Sequence, residues 1–155
     1  MKMVRGLAIA IGLAAVFCMG VALVIQLVPF GRDHTNPPVI KEPQWDSSQT
    51  YDLAKRACFD CHSNETVWPW YSNIAPASWL VQRDVNKGRE ELNFSNWGGE
   101  LDDLDELPEA VQEGEMPPKE YLLLHPEAQL TAQEKQILIQ GFESTFGISG
   151  RAGHD

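Results

Sequence analysis

The residues with the most definite chemistry in this chain are Cys58-Phe59-Asp60-Cys61-His62. Two thiols at this spacing lie about one helical turn apart and can add to the two vinyl groups of a haem. The adjacent histidine then offers a ring nitrogen to the iron as the proximal ligand. Three other chemistries fit less well. A thioredoxin-like redox pair needs a preceding strand and a βαβ pattern, and neither is visible. A zinc site needs a second ligand pair, but no cysteine follows Cys61, and His125 and His154 are not paired. A disulfide between Cys58 and Cys61 would close too small a loop to stabilise much. The third cysteine, Cys18, lies in an apolar stretch and is expected to be inert.

A second axial ligand to such an iron is commonly methionine. Met1, Met3 and Met19 belong to the N-terminal apolar region, which leaves Met116 in Gly114-Glu115-Met116-Pro117-Pro118. The two prolines hold this segment extended, so a sulfur there can be presented without reorganisation. Two alternatives stay open: His125 as a second imidazole, or an open sixth position suited to small molecules.

These residues need elements to position them. Ser48 to Cys61 reads as a helix capped by Ser47 or Ser48, with Tyr51, Ala54 and Cys58 on one face. A second helix runs from Pro76 through Trp79, Leu80 and Val85 to about Lys87-Gly88, with proline at its start and glycine at its end. A third spans about Glu100 to Glu113, with Asp102 and Asp103 in its first turn and Gly114 ending it. Its acidic run reads as a solvated face, since no loop of alternating carboxylates for calcium or magnesium is present. In the last helix Thr131 and Glu134 form a capping box, and Leu138, Phe142 and Phe146 make an apolar stripe. Trp68, Trp70, Tyr71, Trp79 and Trp97 suit the walls of a haem crevice, although core packing accounts for most of them equally well.

The N-terminus differs in kind. Leu7 to Val28 is 22 residues with Gln26 as the one strongly polar side chain. At 1.5 Å per residue this covers about 33 Å, enough to cross a bilayer. An uncleaved signal anchor is expected, with a cleaved signal peptide as the competing reading, because no small-x-small cleavage site follows. Lys2 and Arg5 favour the N-terminus on the cytoplasmic side and the domain outside. Residues 31–43, with Pro37-Pro38 and Pro43, read as a stiff linker, and His34 as a linker residue. Lys2 and Arg5 are two of the 12 basic residues, which leaves ten against all 22 acidic residues beyond position 30, a formal charge of −12. Such a field argues against nucleic acid and would favour a redox partner with a basic docking surface.

Cys58 to His62, Met116-Pro117-Pro118 and the final helix from Leu130 together resemble a cytochrome c fold, in which the terminal helix packs across the first. More narrowly, Cys58 to Thr66, Trp68-Pro69-Trp70-Tyr71, Asn73-Ile74-Ala75-Pro76, Asn93-Phe94-Ser95 and Trp97 resemble the bacterial haem-binding domain family (Haem_bd), over roughly residues 44–147. The resemblance implies one covalent haem c. The expected fold class is all-α: a small cytochrome c-like helical domain around one covalent haem, preceded by a single transmembrane helix. The expected division is 1–30 anchor, 31–43 linker, 44–147 haem-binding domain and 148–155 disordered tail. The expected function is electron transfer rather than catalysis, with Cys58 and Cys61 as thioethers and His62 and Met116 on the iron. A haem-based sensor with a displaceable or open sixth ligand is the alternative. A peroxidase would need an open distal site and usually a second haem, and one attachment motif is present.

Overall fold

The computed structural model describes residues 2–98 and 104–148, and these are helical with no strand among them. Helices α1 (Lys2–Ile25), α2 (Ser48–Ala57), α3 (Phe59–His62), α4 (Ala77–Glu91), α5 (Glu106–Glu113), α6 (Lys119–Leu122) and α7 (Ala132–Phe146) are joined by 3-10 turns at Trp70–Asn73 and Pro126–Ala128. Asp102, Asp103 and the 148–155 tail past Ile148 lie outside the described residues. The chain divides into two compact units: residues up to Thr35 with Trp68–Asp84, and Asn36–Val67 with the chain from Val85 onward.

In the first unit α1 is apolar on every face from Gly6 onward, and its 22-residue stretch Val4–Ile25 is unburied, long and apolar enough to cross a membrane. The helix ends at Ile25, three residues short of the expected Val28. Gln26, Leu27 and Val28 donate to carbonyls three residues back, at 3.2, 3.0 and 3.2 Å, which tightens the last turn. Gln26 thus falls at the end of the apolar helix, where its side chain bonds the backbone of Ala75. Residues 31–35 are also not free. Gly31 (φ +79) is so close to Ser78 that a Cβ would lie 2.3 Å from its carbonyl oxygen. His34 stacks on Trp68 with ring centroids 4.6 Å apart, and its Nε2 is 3.1 Å from the Ser72 carbonyl.

The second unit is built around α2 and α7. Ser47 caps α2 by accepting from Thr50 N, and the Thr131–Glu134 capping box opens α7. Leu53, Ala54 and Ala57 of α2 meet Leu138 and Phe142 of α7 in a core that also takes in Phe59, Leu92, Phe94, Val111 and Leu130. Burying a side chain such as Leu138 or Phe142 contributes about 1.5–3 kcal/mol. The final helix therefore packs on the first helix of the domain, and the Leu138, Phe142 and Phe146 stripe faces inward. At the rim Arg56 Nη2 pairs with Glu134 Oε1 at 2.7 Å. Gly114 closes α5 in the left-handed conformation (φ 76) and Gly147 closes α7 (φ 67).

Four boundaries depart from the sequence reading. The helix expected over Ser48 to Cys61 breaks at Cys58 (φ −126, ψ −34) and restarts as α3. The helix expected to stop at Gly88 continues to Glu91, with Gly88 in its interior. The helix expected from Glu100 starts at Glu106, so Glu106 and Glu109 are the acidic residues of its first turn. The expected linker is docked as well: Asn36 Nδ2 donates to Thr66 O at 2.9 Å, Asn64 Nδ2 to Pro38 O at 2.9 Å, and Ile40 N to Ser95 O at 2.8 Å.

Candidate functional site

Cys58, Cys61 and His62 are brought together by one tight turn. The Cys58 carbonyl accepts from both Cys61 N (3.2 Å) and His62 N (2.9 Å), while Cys58 N still bonds Ala54 O at 2.8 Å. Phe59, between the cysteines, is buried in the core and stacks on Phe94 with centroids 5.4 Å apart. It thereby anchors the turn and leaves the two half-buried thiols, both unbridged, beside it. Burial pushes the Cys58 thiol up to about 12, and the neighbouring Cys61 adds to the shift. Thiol–disulfide exchange needs the opposite, a depressed thiol pKa.

The His62 imidazole is held at both ends of its residue. Its carbonyl accepts from Phe94 N at 2.8 Å, and its Nδ1 lies 3.2 Å from the Leu92 carbonyl. A proton on Nδ1 directed at a backbone oxygen makes Nε2 the lone-pair nitrogen, the usual arrangement of a metal-ligating histidine. Burial lowers its pKa against the opposing pull of the Leu92 and Gly88 carbonyls and Glu91, which favours the neutral, ligating form.

A polar shell secures this turn from behind. Arg89 Nε donates to Ser63 O at 2.8 Å, and its Nη2 reaches Asn36 Oδ1 at 2.9 Å and Thr66 Oγ1 at 3.0 Å. Thr66 Oγ1 in turn donates to Asp60 O, and Ser63 Oγ to Phe59 O, both at 2.8 Å. Asn64 is tied to Asn93 and Ser95 at 2.9 and 3.0 Å. Gly88 of α4 meets the turn so closely that a Cβ there would be 2.5 Å from the Cys61 carbonyl oxygen.

Met116 is half-buried on the turn that ends α5, where its N–H and that of Glu115 both donate to Ala110 O at 3.1 and 3.0 Å. Five residues on, Tyr121 donates from its hydroxyl to Asp60 Oδ2 at 2.7 Å. Asp60 is the residue between Phe59 and Cys61, so this bond ties the segment carrying Met116 to the Cys58–His62 turn. Burial raises the Tyr121 phenol well above its ordinary range, and the Asp60 carboxylate adds to this. His125 stacks on Tyr121 with centroids 4.1 Å apart, and its Nδ1 is 3.1 Å from Glu127 Oε1.

The aromatic residues separate into different roles. Trp97 belongs to the core of the second unit, stacked on Phe146 at 4.6 Å, whereas Trp70 of the first unit is 76 % exposed. Trp45, which the sequence reading passed over, packs among Tyr51, Phe59, Phe94 and Phe146. Asp60, Tyr121, Arg89 and Trp45 carry no local pattern that marks them: each acts through contacts distant in sequence.

Paired unbridged thiols on one turn, beside a neutral imidazole oriented by a backbone carbonyl, fit the donor set of a haem-bearing helical domain. The chain belongs to the haem-binding domain family (Haem_bd), whose sequence profile matches residues 20–144. The match reaches into α1 and across residues 31–43, which agrees with the docking of that segment. No match was found among curated proteins or among solved structures.

Proposed function

We propose that this haem protein is a membrane-anchored monohaem c-type cytochrome that carries electrons. The observation that carries the reading is the turn itself: two unbridged thiols and an imidazole whose Nδ1 is committed to Leu92 O. In this reading Cys58 and Cys61 would hold the haem through thioether bonds to its two vinyl groups. His62 would supply Nε2 to the iron and Met116 its sulfur, a ligand pair that favours a raised potential. When bound, the haem supplies one-electron exchange between ferric and ferrous iron. The chain holds both ligands against rearrangement, through Leu92 and Phe94 on one side and the Asp60–Tyr121 bond on the other. Helix α1 retains the domain at the inner membrane on its periplasmic face, and the acidic surface guides a basic redox partner.

The deciding experiment is the visible spectrum, in both redox states, of parent and Met116→Ala protein made with haem-attachment machinery. A low-spin parent with a weak red sulfur–iron band, lost in the variant, is the expected result. A high-spin parent that binds carbon monoxide readily would remove Met116 from the iron and favour a sensor.

Tyr121→Phe is a finer test of the same ligation. A hydrogen bond to a carboxylate contributes about 1.5–3 kcal/mol. Its loss should raise the population with Met116 off the iron about tenfold or more, read as tighter imidazole binding to the ferric protein. Unchanged imidazole affinity would show that the Asp60–Tyr121 bond does not hold the methionine segment.

A further inference from the structure

The exit of α1 is fastened to a distant stretch of chain. Gln26, the first residue after the helix, clamps Ala75 at two points: its Nε2 donates to Ala75 O at 2.9 Å and its Oε1 accepts from Ala75 N at 3.0 Å. The Gly31–Ser78 approach and the His34 contacts to Trp68 and Ser72 repeat the attachment a few residues on. If α1 spans a bilayer, Gln26 lies where the span meets water, and Ala75 lies within hydrogen-bond distance of it. The segment around Ala75 is therefore held at the depth of the lipid–water interface.

What that segment presents suits that depth. Trp70 is 76 % exposed, Leu80 52 % and Ile74 47 %, and Phe30 of the same unit is 53 % exposed. From Trp68 to Gln82 there is no charged side chain, in a chain of 22 acidic and 12 basic residues. An uncharged stretch avoids repulsion by anionic headgroups, which the acidic remainder of the chain would meet. Tryptophan is enriched at membrane interfaces, where its ring lies among headgroups and acyl-chain ends.

We propose that the Trp68–Leu80 segment is a second membrane contact, lying in the phospholipid interface with Trp70, Ile74 and Leu80 against lipid. This rests on α1 being a retained membrane span. It would make the first unit a collar on the span, held at a fixed depth.

The test is photo-crosslinking of the full-length haem-loaded chain in phosphatidylethanolamine/phosphatidylglycerol vesicles with radiolabelled acyl chains. p-Benzoylphenylalanine replaces Phe17 in the span, Trp70 in the segment or, as the control, exposed Asp52. Lipid label at positions 17 and 70, with background at 52, is the expected result. Label at 17 with position 70 at the level of 52, or crosslinked to a second copy, would overturn the proposal and leave the span intact. Background at all three positions would overturn the span reading and the proposal with it.

Discussion

Replacing Gly88 with alanine is expected to destabilise the protein by about 2–3 kcal/mol, the upper part of the range for forcing atoms into a packed interior. Intrinsic propensity predicts the opposite sign, because alanine inside a helix is better than glycine by about 0.8–1 kcal/mol. The contact decides the outcome. A Cβ at position 88 would lie 2.5 Å from the Cys61 carbonyl oxygen, 2.9 Å from its carbon and 3.0 Å from its Cβ. Two of those atoms are backbone, so relief requires α3 and α4 to separate. Separation would also pull Leu92, the acceptor of His62 Nδ1, away from the turn, since Leu92 N bonds Gly88 O at 2.9 Å. Haem bound per chain should therefore fall along with the urea midpoint. A variant as stable as the parent and fully loaded would show that the close approach of α3 and α4 does not govern the site.

Gly88 also shows where sequence reading stops. A glycine near the end of a helical period is the common signature of a helix end, and nothing local separates that from a glycine required by a neighbouring backbone. Signals confined to a few residues were legible: the Cys58–His62 spacing, the Ser47 cap, the Thr131–Glu134 box and the Gly114 terminus each depend on neighbours within four positions. Family membership was legible too, because its motifs are short and local. Long-range contacts were not. Asp60 and Tyr121 are separated by 61 positions, and neither is unusual where it stands. Pro37 and Pro38 signalled a stretch without helix, as the structure has it, but not that Pro38 O would accept from Asn64, 26 residues away. Extended conformation is a local property; whether the chain lies free or docked depends on what folds beside it. The break at Cys58 was hidden because apolar period continues through it, and only the backbone angles of Cys58 show the interruption.

The crossing of α2 and α7 yields the second large effect, with Gly141→Ala expected to cost about 2–3 kcal/mol as overpacking. A Cβ at 141 would meet Thr50 Oγ1 at 2.2 Å, Cγ2 at 2.4 Å and Cβ at 2.8 Å. Thr50 is fully buried and has two heavy atoms on its Cβ, so rotation about χ1 exchanges one clash for another. Its hydroxyl is also 2.9 Å from Ser47 Oγ within the α2 cap, so pushing Thr50 aside disturbs the start of the helix that leads into Cys58. Thr50→Ala removes the two nearest of the three contacted atoms. In that background Gly141→Ala should lose much of its cost, with a coupling of about 1 kcal/mol or more in a double-mutant cycle of urea unfolding. Additive effects would mean the two helices adjust their spacing freely. The expected non-additivity instead makes α7 a rigid brace behind α2, so that the position of the Cys58–His62 turn is set at a contact well outside the Cys-x-x-Cys-His motif.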